Sequence, residues 1–385
     1  MLTKEENERL TRVGPGTPGG ELLRRYWQPV AGLNELSDES PTKFVRILGE
    51  DLVLFRDKKG NVGLLADHCA HRGASLLYGR VEERGISCAY HGWLYDTSGN
   101  CLETPAEPEG SMFHLTVKQR AYPVEKLFGL YWAYLGPLPA PPIRRVDIME
   151  YPIKEVSMEI EYAANWVQVV ENNVDGSHIF VLHQETYALR RNPDGSYPPV
   201  ANTTRGRIDD LVSLEYKETS YGVMRVMGIS DGYLEEDIVV FPNILRRMNQ
   251  ISVKCPVDDT HTRKFAIRVN LDQGKISDWG TEPRGTYVMP PADTKTPIDA
   301  AHPNARYRMD KVPNQDVMAI ETQGPISARE SWHAGTRDTG VAFFDNLVLR
   351  EIDKLAQGIE PMAVTHDPNE VVDTNLAAVH LVGAR

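Results

Sequence analysis

Two short segments between Cys69 and Trp93 decide the fold of this chain; they read Cys69-Ala-His71-Arg-Gly73 and Cys88-Ala-Tyr-His91-Gly92-Trp93. Sixteen residues separate the first histidine from the second cysteine. Each segment offers one thiolate and one imidazole, and the glycine that follows each pair allows the backbone to turn tightly. Two such loops can converge on one metal centre.

The ligand set narrows the kind of metal centre. Two cysteines and two histidines, contributed as two mixed pairs, are the ligands of a Rieske-type [2Fe–2S] cluster, in which two imidazoles replace two thiolates on one iron. A structural zinc site is the alternative, because zinc also accepts two Cys and two His. In the commonest zinc finger, however, both cysteines precede both histidines. The alternating order in this chain therefore favours the iron–sulfur cluster.

The two loops resemble those of the aromatic-ring-hydroxylating oxygenases. Respiratory-chain Rieske proteins carry an additional cysteine in each loop, joined as a disulfide beside the cluster, whereas the corresponding positions here are Ala74 and Tyr90. Arg72 and Trp93 follow the two pairs closely, and we expect them beside the cluster or at an interface.

Composition excludes several classes of partner. The net charge of −12 over 385 residues argues against a nucleic-acid or anionic-membrane partner, since those need a basic face. No apolar run reaches the length of a membrane span, and we expect a cytoplasmic protein. Of the four cysteines, Cys101 and Cys255 are expected to be buried thiols, so no ligands remain for a second cluster.

The pattern along the chain predicts an α+β protein with two main domains. An N-terminal helical segment, residues 1–40, is expected to pack on the catalytic domain. Short β-rich runs separated by turn residues predict an all-β Rieske domain over residues 41–140, closed by a Pro-rich boundary. Residues 141–385 read as several strands enclosed by helices, which predicts an antiparallel sheet flanked by helices.

A second group of polar residues lies in a predicted helix over residues 165–182. Asp175 and His178 share a helix face, whereas His178 and His183 are five residues apart and can meet on one metal only if the helix is distorted locally, as Gly176 suggests. Two histidines and one carboxylate form the facial triad of non-haem Fe(II) oxygenases. Two histidines on an apolar helix are, by themselves, more often packed than metal-bound.

The whole chain resembles the catalytic α subunit of the Rieske non-haem iron oxygenases, in the phthalate-dioxygenase-like branch. Members of that family carry N-x-x-D-x-x-H-x4-H in this helix, and Asn172, Asp175, His178 and His183 fit the pattern. The resemblance implies that Asp316, in a later helix, is the third iron ligand. Glu321 is the competing candidate and ranks second.

The resemblance also implies how electrons reach the iron. A separate NAD(P)H-dependent reductase, with or without a ferredoxin, feeds the cluster, and the subunits form a ring, commonly a trimer, in which each cluster faces the iron of a neighbouring subunit. In that arrangement Asp175 bridges His91 of one chain and His178 of the next, and Asn172 borders the iron pocket.

The substrate class implied by the resemblance is an aromatic acid, which is hydroxylated or O-demethylated with O2. The arginine pairs 190–191 and 246–247 are candidates to bind its carboxylate, although such pairs are more often solvated or at subunit contacts. The alternatives are a non-enzymatic Rieske electron carrier, which would lack the mononuclear iron, and a zinc-binding interaction protein, which would lack both iron centres.

Overall fold

The computed structural model describes residues 2–184, 208–230, 232, 234–275, 286–288, 307, 309 and 311–374. Within these ranges the α-helices are α1 (Lys4–Thr11), α2 (Pro18–Leu23), α3 (Trp166–Val174), α4 (Val312–Glu321) and α5 (Thr339–Ala356). None of the helices described there has the length and apolar character to cross a bilayer. The arginine pair 190–191 lies outside the described residues.

The first part of the chain is built from short strands: β1 (Gln28–Gly32), β2 (Thr42–Ile47), β3 (Glu50–Arg56), β4 (Val62–Ala66), β5 (Arg80–Glu82), β6 (Gly85–Ser87), β7 (Leu94–Tyr95), β8 (Cys101–Glu103), β9 (Ala121–Tyr122), β10 (Val124–Leu127), β11 (Leu130–Ala133) and β12 (Arg145–Val146). They form antiparallel sheets in the orders β1-β11-β10, β2-β3-β4-β9 and β5-β6-β7-β8. The two Cys/His loops follow β4 and β6, so two neighbouring sheets bring them together.

The turn between β2 and β3 connects the all-β region to the rest of the molecule. Leu48 and Gly49 form a two-residue hairpin loop with φ values of 49° and 75°, the conformation that matches the twist of the flanking strands. Their backbone N–H groups donate to the carbonyl oxygens of Pro256 and Val257 at 2.9 and 3.0 Å. The hairpin loop therefore attaches directly to the second half of the chain, at residues 256 and 257.

The second half is organised around one large sheet whose strands are β13 (Ile153–Tyr162), β14 (Leu211–Thr219), β15 (Gly222–Ile229), β16 (Leu234–Val240), β17 (Ile244–Arg247), β18 (Gln250–Asp258), β19 (His261–Val269) and β20 (Thr286–Val288). Its order is β14-β15-β16-β17-β18-β19-β13-β20, antiparallel except for the last pair. A final strand, β21 (Val371–Val372), pairs in parallel with β12. An all-β first region followed by an α+β second region confirms the predicted fold class.

Helices α3 and α5 pack against each other beside the large sheet. Trp166 and Phe344 meet edge to face, with ring centroids 6.3 Å apart, and both side chains are fully buried. Helix α1 lies against α3 and α5, and the side chain of Asn7 donates to the carbonyl oxygen of Ser327. The boundaries near residues 40 and 140 remain predictions.

The predicted helix over residues 165–182 is wrong beyond Val174. Helix α3 ends there, Asp175 takes an extended conformation as its C-cap, and a separate 3₁₀ turn covers His178–Phe180. Gly176 lies at the break, where a Cβ atom would approach Met227 Sδ to 2.7 Å. The chain therefore changes direction between Asp175 and His178. The relative positions of His178 and His183 are no longer set by the spacing of one regular helix.

Candidate metal centres

The two Cys/His loops have the same backbone geometry. In the first, the N–H of Gly73 donates to the carbonyl oxygen of Cys69 at 2.8 Å; in the second, Gly92 donates to Cys88 at 2.9 Å. Both glycines have φ of 75°, a left-handed conformation that other residues adopt at a cost. The two loops thus present their cysteine and histidine side chains in the same way.

The four side chains suit a metal cluster. Cys69 and Cys88 are free thiols and only 3% and 2% exposed, and the rings of His71 and His91 are 4.6 Å apart between centroids. Burial raises the pKa of the Cys69 thiol, so a deprotonated sulfur there needs a nearby positive charge. Nδ1 of His71 is buried and has no hydrogen-bond partner among the described residues, as expected of an atom reserved for a metal.

Neighbouring side chains hold these groups in place. The indole of Trp93 stacks on the His71 ring at 4.3 Å, whereas the Arg72 guanidinium lies over the Tyr90 ring. The Tyr95 hydroxyl is 3.2 Å from Cys69 Sγ, a contact that sequence reasoning missed. Another missed residue is the buried Gln119, which donates to the carbonyl oxygens of residues 66 and 68 and accepts from the N–H of residue 70.

A second cluster of ligands forms where α3 ends and α4 begins. His178, His183 and Asp316 each offer one ligand atom, and these atoms all lie within 4.8 Å of one another. Nε2 of His183 is 3.1 Å and Nε2 of His178 is 3.7 Å from Asp316 Oδ1. The structure therefore brings the three predicted ligands together, and the donor set fits a ferrous ion with open coordination positions.

Both imidazoles are oriented from behind by side-chain oxygens. Asp175 Oδ2 lies 3.2 Å from Nδ1 of His178, and Gln315 Oε1 lies 2.7 Å from Nδ1 of His183. These contacts leave the two Nε2 atoms facing Asp316. Although burial acts to raise it, hydrogen bonds from His178 and Ser177 hold the pKa of Asp175 at about 2, so this carboxylate stays ionised.

Asn172 and Glu321, the other two residues predicted near the iron, differ in their surroundings. The amide of Asn172 lies 3.3 Å from Asp316 Oδ1 and 3.5 Å from His178 Nε2, directly beside the ligands. Glu321 is engaged elsewhere: its carboxylate accepts from the Ala163 N–H and the Tyr307 hydroxyl. The geometry thus favours Asp316 over Glu321 as the carboxylate of the triad.

Comparison with known proteins identifies the family. The family profile of the Rieske [2Fe-2S] domain matches residues 26–123. A phenoxybenzoate dioxygenase subunit alpha from Ectopseudomonas oleovorans is 47% identical, with 92% of this chain and 87% of the relative covered. The 5,5'-dehydrodivanillate O-demethylase oxygenase subunit from a Sphingobium strain is 33% identical, with 96% and 84% covered. The chain belongs to the Rieske non-haem iron oxygenases.

The place within the family is also confirmed. A phthalate 4,5-dioxygenase oxygenase subunit from Pseudomonas putida is 32% identical to this Rieske oxygenase, with 91% of this chain and 86% of the relative covered. The terminal oxygenase of carbazole 1,9a-dioxygenase from Nocardioides aromaticivorans has the same fold, with a TM-score of 0.57 at 18% identity, covering 90% of this chain and 96% of that chain. The protein is an oxidoreductase whose cofactors are a Rieske [2Fe–2S] cluster and a mononuclear iron, as predicted. The zinc module and the simple electron carrier are thereby set aside.

Two cavities meet at the triad of this Rieske oxygenase. The larger, of 560 Å³, is lined by α3 and α5 and includes Glu171, Asn172, Asp175 and His178. The smaller, of 210 Å³, lies between the triad and the large sheet. On the sheet side it is lined by five cationic side chains: Arg225, Arg247, Lys254, Lys264 and Arg268.

The cationic lining was only partly predicted. Arg247 lines the smaller cavity, whereas its neighbour Arg246 is buried against Asp147. Arg225 and Lys254, which sequence reasoning missed, are 3% and 2% exposed within strands β15 and β18. A basic residue at an inward position of an otherwise apolar strand is the signal that could have revealed them.

Proposed function

We propose that this chain is the terminal oxygenase component that hydroxylates or O-demethylates an aromatic carboxylate. One observation carries the proposal: His178, His183 and Asp316 converge beside a cavity whose opposite wall holds five basic side chains, two of which pair with the Asp237 that also lines it. The three curated relatives described above bear names that refer to aromatic carboxylates, and the same class of substrate suits a cation-lined cavity.

Specific side chains would hold each cofactor. Cys69, His71, Cys88 and His91 fit the [2Fe–2S] cluster, and the triad of His178, His183 and Asp316 fits the mononuclear iron. When bound, the two groups supply electron storage and a site for reducing O2. Asp175 and Gln315 orient the two triad imidazoles through their Nδ1 atoms, which fixes the tautomer that presents Nε2.

The sheet side of the smaller cavity supplies the recognition chemistry. Lys254 and Lys264 are directly opposite on β18 and β19, so two ammonium groups can act together on one bound anion. The cavity of 210 Å³ exceeds the roughly 150 Å³ of an engineered apolar cavity that accepts benzene. A single aromatic ring with a carboxylate directed at the lysines therefore fits.

The electron donor is expected to be a separate NAD(P)H-dependent reductase, with or without a ferredoxin. Two of the four cysteines in this chain are assigned to the Rieske cluster, and the other two, Cys101 and Cys255, are buried thiols. A further cluster with four thiolate ligands would need more cysteines than remain. Beside the cluster loops, Tyr90 and Met112 are 60% and 62% exposed, an apolar surface suited to docking.

We propose that the subunits form a ring, with a trimer as the expected form. In such a ring His91 of one copy would approach Asp175 of the next, and Asp175 would connect it to His178. A cytoplasmic location stays a prediction.

Metal analysis and oxygen uptake test the proposal. Purified protein should contain about three iron atoms per chain and show the visible spectrum of a Rieske cluster. With a reductase present, a panel of benzoates, phthalates, methoxybenzoates and phenoxybenzoates should include a compound that stimulates oxygen uptake. Formaldehyde release would identify demethylation, and uptake unaffected by every aromatic acid would refute the proposed substrate class.

Lys254→Met tests the carboxylate contact. A hydrogen bond to a charged group contributes roughly 1.5–3 kcal/mol, so KM for the acid should rise about 10- to 100-fold. KM for the methyl ester of the same compound should change little. Lys217→Met is the matched control, since that side chain is exposed on β14. If Lys254→Met raised KM equally for the acid and for its methyl ester, Lys254 would not act on the charge of the carboxylate.

A further inference from the structure

A buried ion cluster joins α3 to α5 at the side of the larger cavity. Arg329, whose side chain is 1% exposed, makes a two-pronged contact with Glu171: Nε to Oε1 at 2.6 Å and Nη2 to Oε2 at 2.8 Å. Its Nε also lies 3.8 Å from Oδ2 of Asp345. Both acids are nearly as buried, at 5% and 4% exposure.

The charges in this cluster do not balance if both acids are ionised. Two carboxylates face one guanidinium, and an uncompensated buried charge is strongly unfavourable. The other side chains at the cluster add no positive charge: Asn7 accepts from Arg329 Nη1 at 2.9 Å, and Glu330 contributes a further negative charge. One proton held between Glu171 and Asp345 restores neutrality.

The environment of Asp345 indicates where that proton resides. Burial and the adjacent Glu171 carboxylate raise the pKa of Asp345 well above its usual range, while Arg329 acts in the opposite direction. Oδ1 of Asp345 is buried and has no hydrogen-bond partner among the described residues. The direction of this shift favours Asp345 as the member of the pair that holds the proton.

The pair lies on the route towards the metal centre. Glu171 and Asp345 line the same 560 Å³ cavity as Asn172, Asp175 and His178. Glu171 immediately precedes Asn172 in α3 and is one turn from Asp175. Water in this cavity can therefore connect the shared proton to the iron side of the protein and to bulk solvent.

We propose that Glu171 and Asp345 share one proton and deliver it, through water in this cavity, to O2 as it is reduced at the iron centre. The inference rests on the proposed oxygenase function. Hydroxylation or demethylation consumes one O2, two electrons and two protons, and leaves one oxygen atom in the product and one in water. The electrons come from the reductase, the pair provides one of the two protons, and solvent water provides the other. The remaining carboxylates are then held by Arg329 until solvent returns the proton.

Infrared spectroscopy tests the shared proton without any turnover. Protein labelled with ¹³C-aspartate should show a protonated-carboxyl band at neutral pH that shifts with the isotope and is lost in Asp345→Asn. Glu50→Gln is the control, because Glu50 is also buried but faces two arginines, Arg24 and Arg120, and its removal should leave the band in place. Absence of the band from the wild-type protein would overturn the proposal.

Delivery of the proton is tested by the pH dependence of a single turnover. Loss of a general acid costs about 10²-fold or more, so Asp345→Asn should react about 10²-fold more slowly at pH 8. Its rate should rise as pH falls because solvent then supplies the proton, while the wild-type rate stays flat. If Asp345→Asn reacted more slowly but kept the flat pH dependence of the wild type, Asp345 would have only a packing role. That result would overturn the proposed delivery of the proton. Failure of the proposed function would be distinct: no aromatic acid would stimulate oxygen uptake by the wild type, whatever its infrared spectrum.

Discussion

Asp175→Asn replaces one carboxylate oxygen by an amide nitrogen and keeps the shape of the side chain. In the native protein Oδ1 accepts from both the N–H and the hydroxyl of Ser177 at 2.7 Å, while Oδ2 faces His178 Nδ1 at 3.2 Å. The lowering of the Asp175 pKa from 3.8 to about 2 corresponds to roughly 2 kcal/mol in favour of the ionised form. The asparagine retains the Ser177 contacts but loses this charge.

The expected result is an enzyme that keeps both metal centres and nearly stops turning over. Loss of an orienting carboxylate behind a ligating histidine typically costs about 10- to 100-fold, so iron binding should weaken yet remain complete with excess Fe(II). Turnover at saturating iron should fall by about 100-fold or more, because the same carboxylate is proposed to connect the two centres.

Rapid mixing of reduced protein with O2 and substrate would measure cluster oxidation directly. Asp338→Asn is the matched control, since Asp338 lines the same cavity but accepts from the backbone of Gly335. Cluster oxidation at the normal rate in Asp175→Asn, with full iron content, would refute the relay role.

Three further predictions concern the metal centres and the backbone between them. His178→Ala should lose the mononuclear iron while keeping the coloured cluster, and metal analysis showing unchanged iron would remove His178 from the triad. Cys69→Ser should abolish the visible cluster spectrum, whereas Cys101→Ser, at a buried thiol that donates to the carbonyl oxygen of Glu103, should preserve it. Gly176→Ala should destabilise the protein by about 1–3 kcal/mol, because the added methyl group meets Met227. Thermal unfolding should show no comparable loss for Gly14→Ala, where the space around Cα is open.

The cluster loops illustrate what local spacing can determine. Cys69 and His71, like Cys88 and His91, lie within a few residues of each other, and each glycine sets the turn of its own loop. Because the geometry of each loop depends on nearby backbone, local sequence was sufficient to predict the cofactor, although two neighbouring sheets bring the loops together.

The iron centre shows where such reasoning reaches its limit. The pattern around His178 suggested a triad, but a continuous helix was the wrong expectation, since α3 ends at Val174. The guanidinium of Arg225 accounts for part of the break after Val174, because it donates to the carbonyl oxygens of Asn173 and Asp175 from a strand distant in sequence.

The chain by itself therefore determined the metal chemistry, the two-part organisation and the family. Only the tertiary structure decided that Gln315 supports His183, that Lys254 faces Lys264 across two strands, and that Glu171 and Asp345 share one arginine. The physical reason is the range of the interactions. Spacing within a loop or a helix turn is encoded locally, whereas sheet register and helix packing bring together residues that no short pattern connects.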